Sequence, residues 1–586
     1  MDGEQGGSPR ARAVVWAVVG GLLLLFAART ADLGVSKQYS IDEFQYAHAA
    51  WLVAQGEVPY RDFFEVHHPL LYVGLSPVFL VAGDDPEAIR FLRLAMLVLV
   101  GWTAWSLARL NAGHGRLARW LTPLMLLVML PWTRWATEIR NDTLAFACFA
   151  ACLATLAGAG RRRGGASEDA RRLGRRALLA GVLLGLAFWA SQKVVYYGSI
   201  LFAAWLADLF LAGPAGRPRL LLRPASFVLG FCAVVVAGLG VLASLGALDD
   251  WWRWCFAWAL ELEREHVQIP WAQHLGAALR DAWWVAALAL AGVVATLRRV
   301  VASEADHDHL LLLALLAALV AHAAQKTAYA YNLIPFLGLL AVFAARGAAA
   351  GWERAVAARA AGRSFAPYAA LACGLLGMLP LLRADMALAR RAHDHNAWQH
   401  HVLAEVAALT EPGDACYDNS GSYVARPHSR FEFYTERTTR RRDAERLVAE
   451  VPAAILEAGT VLMLRDRRFE TLPDALRRWL RRHFQPHGGD VWLWGQRFGG
   501  RGLAGRGRFL AVRDDEYVVE PAERLEQDRL WIDGKPVTDP VLRLTAGEHE
   551  VRWEGLPTPF ALLWLPADGR RWRPDDEASP GFSVIY

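Results

Sequence analysis

The chain has 586 residues, of which 54% are apolar, with 25 tryptophans and a formal net charge of +5 at pH 7. So apolar a composition argues against an ordinary soluble enzyme or a disordered chain and places the sequence in the membrane class. The positive charge does not imply nucleic acid, because the arginines gather in short loops between apolar stretches, as the positive-inside bias requires, and the six dispersed cysteines offer neither a disulfide pattern nor a zinc spacing.

Residues 13 to 28, 118 to 132, 142 to 158, 177 to 190, 224 to 247, 282 to 297, 309 to 324, 332 to 345 and 367 to 382 are nearly free of charge. Each approaches the length of roughly 20 residues that crosses hydrocarbon. Less clean stretches at 88 to 108 and 194 to 212 bring the expectation to about eleven crossings. The first has a basic flank but no small-residue cleavage site before Asp42, which predicts an uncleaved helix. Placing the arginine-rich loops at 161 to 176, 217 to 223, 298 to 299 and 346 to 363 in the cytoplasm puts the N-terminus inside. Residues 30 to 87, 133 to 141, 190 to 196, 248 to 280, 325 to 331 and the tail after 383 then lie outside the cell membrane.

Immediately after the first span, Ser40-Ile41-Asp42-Glu43 fits a capping box, and Phe44, Ala47, His48 and Trp51 follow at helical spacing. A surface helix parallel to the membrane is predicted there. Both acids would favour a helix N-terminus through its dipole, but the cap does not need Asp42. From Gly56 to Tyr72 the chain packs Arg61, Asp62, Glu65, His67 and His68 around Tyr60, Phe63 and Phe64. Taken alone, Arg61 and Asp62 read as a turn pair, and adjacent histidines on a helix point in different directions, which disfavours shared metal ligation.

The next external loop carries Arg134, Glu138, Arg140, Asn141 and Asp142, with Asp142 at the mouth of an apolar helix. Local ion pairs, Arg140 with Asp142 or Arg134 with Glu138, would explain these charges as anchors. Lys193 and, further on, Lys326 with Tyr329 and Tyr331 repeat the theme on the same predicted face. Intramembrane and juxtamembrane charges are costly, and their convergence on one side predicts a polar cavity. The tryptophan-rich stretch from Asp249 to Trp258, with Glu261 to Glu265 after it, reads as an interfacial belt.

Composition changes at Arg383. Residues 384 to 515 alternate short buried strands, at 415 to 417, 460 to 464 and 491 to 494, with helical patterns at 441 to 457 and 472 to 484, which predicts a small α/β domain. From 516 to 586 the pattern is all-β, with an Asp533-Gly534 turn between strands. Its strand, Asp-Gly and Gly547-Glu548-His549 resemble the small β-sandwich repeats called PEGA modules.

Together, the acidic pair after the first helix, the run Gly56-x-x-Pro59-Tyr60-Arg61-Asp62-Phe63-x-Glu65-x-His67-x-Pro69-Leu70-x-Tyr72, and the Arg140-x-Asp142 at a helix start are similar to the GT-C glycosyltransferases. The closest groups are those resembling the aminoarabinose lipid A transferases, the protein O-mannosyltransferases and the rhizobial core-oligosaccharide transferases. The resemblance covers residues 13 to 383 and implies a multi-spanning α-helical membrane protein of GT-C type with an extracytoplasmic C-terminal region. It places Asp42 at the family's catalytic aspartate, Glu43 beside it and Asp142 at the second acidic position. Where the aminoarabinose transferases have Phe-Glu-Lys-Pro-Pro, this chain has Phe64-Glu65-Val66-His67-His68-Pro69, so His67 stands near the place of a phosphate-binding lysine.

The implied donor is a polyprenyl phosphate sugar drawn from the lipid bilayer, with Asp42 as general base and His67, Arg61 or Lys193 holding the phosphate. Tyr60, Glu65, His68, Tyr72, Glu138, Arg140, Lys326 and Tyr331 would line the acceptor side of the cavity. Direct displacement would invert the anomeric carbon. Some branches of the family use a divalent metal, Mg or Mn, and others do not; no residue pattern here decides between them. Nor do the residues choose among an envelope glycan, a lipid or a protein as acceptor. The rival reading is a transporter or flippase for a lipid-linked precursor, for which internal repeats and helices broken near the midplane would be expected.

Overall fold

The computed structural model describes residues 9–157, 170–195, 198–199, 201, 217–258, 260–261, 269–302, 308–325, 328–360, 396–431, 444–499, 504–522, 525, 529–555 and 559–569. They fall into two compact units. One comprises residues 1–37, 66–73 and 91–393; the other comprises 38–65, 74–90 and 394–586.

The first unit is helical. Among the described residues six helices are long and apolar enough to cross a membrane: Ala13–Ser36, Pro86–Leu110, Arg171–Ala190, Pro224–Ser244, Trp283–Val301 and Ala330–Ala358. A seventh span is formed if Leu130–Ala136 and Asn141–Ala157, bent by 111° at a short break, count as one. The chain is a multi-pass membrane protein. The expected crossing at 367 to 382 lies outside the described residues, as does most of 194 to 212. The stretches at 118 to 132 and 309 to 324 form helices of 14 and 16 residues, Gly115–Val128 and Asp308–Ala323.

Because lipid is as apolar as leucine, helices in this setting hold together by close packing. Two crossings show it. A Cβ on Gly292 would lie 1.9 Å from the Phe343 carbonyl oxygen, and one on Gly347 would lie 2.1 Å from that of Leu288. Gly181 and Gly230 stand in the same relation to the Phe227 and Leu178 carbonyls, at 2.0 and 2.2 Å. Only hydrogen at these positions lets the backbones touch. Away from them, Val98, Leu229, Val236 and Leu290 point outward, as side chains facing hydrocarbon do.

The second unit is built on sheets. The strands are β1 Cys416–Tyr417, β2 Leu462–Leu464, β3 Phe484–Gly488, β4 Val491–Phe498, β5 Ala504–Ala511, β6 Asp515–Glu520, β7 Arg529–Ile532, β8 Lys535–Pro536, β9 Val541–Leu544, β10 Gly547–Glu554 and β11 Phe560–Trp564. A seven-stranded sheet runs β1-β2-β4-β11-β6-β9, with β3 also on β4, and a four-stranded sheet runs β5-β10-β7-β8. Strands β1 and β2 are parallel, and the helix Ala444–Glu457 lies between them in sequence, as a parallel crossover needs. The predicted turn is present: Asp533 and Gly534 have φ of 51° and 73°, the left-handed pair that a two-residue hairpin requires. The larger sheet draws strands from both sides of residue 516, since β11 pairs with β4 and β6.

The helix Ile41–Ala54 also belongs to this unit. A surface helix would be buried on one face, but here Phe44, Gln45, Tyr46, His48, Ala49 and Trp51 are all buried. Residues 418–431 pack on it. The Val424 carbonyl accepts from His48 Nδ1 at 2.7 Å, which leaves His48 Nε2 to accept from His428 Nδ1 at 3.1 Å. This chain of bonds needs the His48 ring neutral. Burial pushes His48 well below its usual range and His428 down to about 4. An unfolded chain therefore binds more protons than the folded one between the ordinary histidine value, about 6.5, and 4, and these rings cost stability as pH falls. Asp418 acts in the opposite sense, because burial and the neighbouring Asp466 raise it to about 6. Replacing His428 by Asn is expected to leave the unfolding midpoint near pH 7.5 almost unchanged. It should flatten its acid decline between pH 6.5 and 4.5, measured by tryptophan fluorescence.

Candidate functional site

The break between Leu130–Ala136 and Asn141–Ala157 leaves Glu138 and Arg140 outside any helix and sets Asp142 in the first turn of the second one. Glu138 is fully buried, and its carboxylate is gripped from two sides by Lys37 Nζ and Arg140 Nε. Lys37 also donates to the Arg134 carbonyl at 2.8 Å. It reaches this point because it directly follows the first helix, whose last carbonyls are met by a buried arginine: Arg93 donates to the carbonyl oxygens of Gly34, at 3.2 Å, and Lys37.

Beside this triad lies a second group. Lys193, in the turn after the helix Ala170–Ala190, donates to both oxygens of Asp142 at 3.3 and 3.2 Å and to Asn332 Oδ1 at 2.7 Å. Ser191 Oγ donates to Asp142 Oδ1 at 3.4 Å, and Asn332 Nδ2 donates to Gln325 Oε1 at 2.6 Å. The ring of Tyr331 joins the two groups, with the Arg140 guanidinium 4.1 Å and Lys193 Nζ 5.0 Å from its centroid. Three cations, Lys37, Arg140 and Lys193, face two carboxylates, Glu138 and Asp142, a net charge of one positive. A small cleft opens on this group, lined by Asp142, Phe146, Phe149, Ser191, Lys193 and Pro335. The charged lining of the cleft, Asp142 and Lys193, is balanced, and the surplus positive charge lies on the adjoining triad of Lys37, Glu138 and Arg140, an arrangement that draws an anion toward apolar walls.

The other predicted residues have varied surroundings. His68 is buried against Phe188, Trp189, Trp251 and Phe256, with ring centroids 4.7 to 5.8 Å away, and its Nδ1 donates to the Phe188 carbonyl at 2.5 Å. Burial lowers its imidazole to about 4, so it is a neutral packing residue near neutrality. His67 is half-buried, and the Tyr72 hydroxyl lies 3.5 Å from its carbonyl oxygen. Lys326 lies outside the described residues, as do Glu263 to Glu265.

In the second unit Asp42 is half-buried in the first turn of its helix, and Glu43 is fully buried. One oxygen of Glu43 accepts from the Ser40 backbone N–H at 2.9 Å, so this acid serves the cap. Gln45 Nε2 donates to both oxygens of the buried Glu65, at 3.1 and 3.2 Å. Arg61 pairs with Asp62 at 2.7 Å on the surface, while Asp62 also accepts from the Val58 N–H at 2.8 Å, the expected turn pair. Tyr60 is buried at φ 72°, a strained conformation for a bulky residue. Among the described residues no three His, Cys, Asp or Glu side chains gather as metal ligands, and Glu43 has one oxygen committed to the cap rather than to a metal beside Asp42.

Sequence reasoning missed Lys37, Ser191, Gln325 and Asn332. Lys37 did carry a signal, since it is a cation close after a long apolar run; the uncharged three carried none.

The sequence matches no protein-family model and no curated protein. Solved structures do match. The apo structure of ArnT from Cupriavidus metallidurans superposes with a TM-score of 0.58 and 13% identity, over 82% of this chain and 98% of that one. The structure of the same protein bound to undecaprenyl phosphate gives a TM-score of 0.56 and 14% identity, over 79% and 95%. The fold of this chain is the GT-C fold, as the Asp42-Glu43 pair and the run from Gly56 to Tyr72 implied.

Proposed function

We propose that this chain is an integral-membrane glycosyltransferase that moves a monosaccharide from a polyprenyl phosphate to an acceptor hydroxyl outside the cytoplasm. The observation that carries the reading is the convergence of Lys37, Arg140 and Lys193 on Glu138 and Asp142 beside an aromatic-lined cleft. ArnT, which shares the fold, is described with undecaprenyl phosphate bound, a ligand of the kind such a cleft suits.

The acceptor oxygen attacks the anomeric carbon, the bond from that carbon to the phosphate oxygen breaks, and polyprenyl phosphate departs as an anion. A phosphate leaves without protonation, so the reaction calls for cations on the leaving group and one base for the acceptor proton. Lys193 and Arg140 are assigned to the phosphate. Arg61 is a poorer partner, because it sits exposed in a surface turn with Asp62. Asp142 orients Lys193, and Asp42 takes the proton. A single displacement inverts the anomeric carbon.

Purified protein incubated with a panel of radiolabelled polyprenyl phosphate sugars is expected to transfer label from one of them to envelope material. Lys193→Met should weaken binding of polyprenyl phosphate at least tenfold, read by competition with the labelled donor. Absence of transfer from every donor would overturn the proposal. The bent pair of helices at 130–157 is a feature that a transporter would share. Movement of intact donor across vesicles without sugar transfer would favour that second reading.

A further inference from the structure

The helix carrying Asp42 is entered through Tyr39, a residue whose side chain and backbone are both held by residues far along the chain. Tyr39 and Gln399 are each completely buried. The Gln399 carboxamide closes a two-bond ring on the Tyr39 peptide groups: Oε1 accepts from the Tyr39 N–H at 2.7 Å, and Nε2 donates to the Tyr39 carbonyl at 2.9 Å. A carboxamide offers an acceptor and a donor in one plane with no change of protonation. The Tyr39 ring packs on Phe44 and His400, with centroids 5.7 and 5.4 Å away. The next N–H, that of Ser40, is taken by Glu43. Successive peptide units at 39 and 40 therefore have fixed partners, and the first helical turn, with Asp42 in it, has little freedom to tilt.

A helix cap and one buried face would suffice to hold a 14-residue helix in place. The additional bidentate grip falls three residues before Asp42, not at the far end. We propose that Gln399 is a positioning residue for Asp42, fixing the backbone entry so that its carboxylate stands where an acceptor proton must be received. This rests on the reading of Asp42 as the base. Small displacements of a reacting group are expensive in rate, so loss of the grip acts on turnover more than on donor binding.

The experiment uses the full-length protein and the labelled donor found active in the panel. Gln399→Met keeps the buried volume and removes both bonds; Gln399→Glu keeps the acceptor for the Tyr39 N–H. Val402→Ala, a buried position on the same helical stretch at 396–409, serves as a control for plain destabilisation. Gln399→Met is expected to lower kcat at least tenfold with KM for the donor within twofold, Gln399→Glu to recover part of the loss, and Val402→Ala to leave kcat within twofold. An unchanged kcat in Gln399→Met, or an equal loss in Val402→Ala at the same unfolding temperature, would overturn the assignment. Asp42→Asn is run alongside: full transfer in that variant would sink the reading of Asp42 itself, whereas its loss together with a normal Gln399→Met would sink only the role of Gln399.

Discussion

Asp42→Asn is expected to reduce kcat for sugar transfer by about two to four orders of magnitude, the range over which a positioned general base contributes. Asparagine matches aspartate in size and is well tolerated near helix N-termini, so the helix Ile41–Ala54 should keep its place. KM for the lipid donor should change little, because the cations assigned to the phosphate lie on other segments. The adjacent acid gives a contrasting result. Glu43→Ala removes the acceptor of the Ser40 N–H and should cost on the order of 1 kcal/mol of stability, with a smaller effect on turnover. Paired measurements of turnover and thermal unfolding separate the two acids, and a reversal of the two effects would reassign the base.

The second large effect is expected at Glu138. Its carboxylate is the common partner of Lys37 and Arg140 in a site from which water is excluded. Breaking a buried pair by removing one member costs about 3 to 5 kcal/mol, because the opposite charge is left without compensation. Glu138→Ala strands two cations, so the upper part of that range applies. The unfolding midpoint in detergent should fall steeply. Adding Lys37→Met to Glu138→Ala removes one of the stranded charges and should restore part of the loss. A double variant no better than the single one would show that Lys37 and Glu138 act independently.

Much of the fold could be read from periodicity. Among the described residues, long charge-free runs gave five of the six helices long and apolar enough to cross a membrane, short of the eleven expected, and alternation with Asp533-Gly534 gave the hairpin of β7 and β8. Pairing was less accessible, because a strand's partner is a long-range property. Nothing in Phe560 to Trp564 indicates that it sits between β4 and β6. The site was legible where a charge broke an apolar run, as at Glu138, Arg140, Asp142 and Lys193. It was illegible where the work is done by uncharged amides. Asn332, Gln45 and Gln399 look like ordinary polar residues until their partners are known. Asp142 with Lys193 illustrates the same point for ion pairs: the local guess was Arg140, two residues away, whereas the lysine comes from another helix end.

Strand β11 lies in the interior of its sheet, yet it is the last strand among the described residues, and the helix Ile41–Ala54 is fastened by segments some 360 residues downstream of it. During synthesis, then, the helix carrying Asp42 waits some 360 residues for Gln399 and the segment after it to emerge. A product clipped before residue 396 would keep the apolar spans but lack the segment that clamps this helix at its entry.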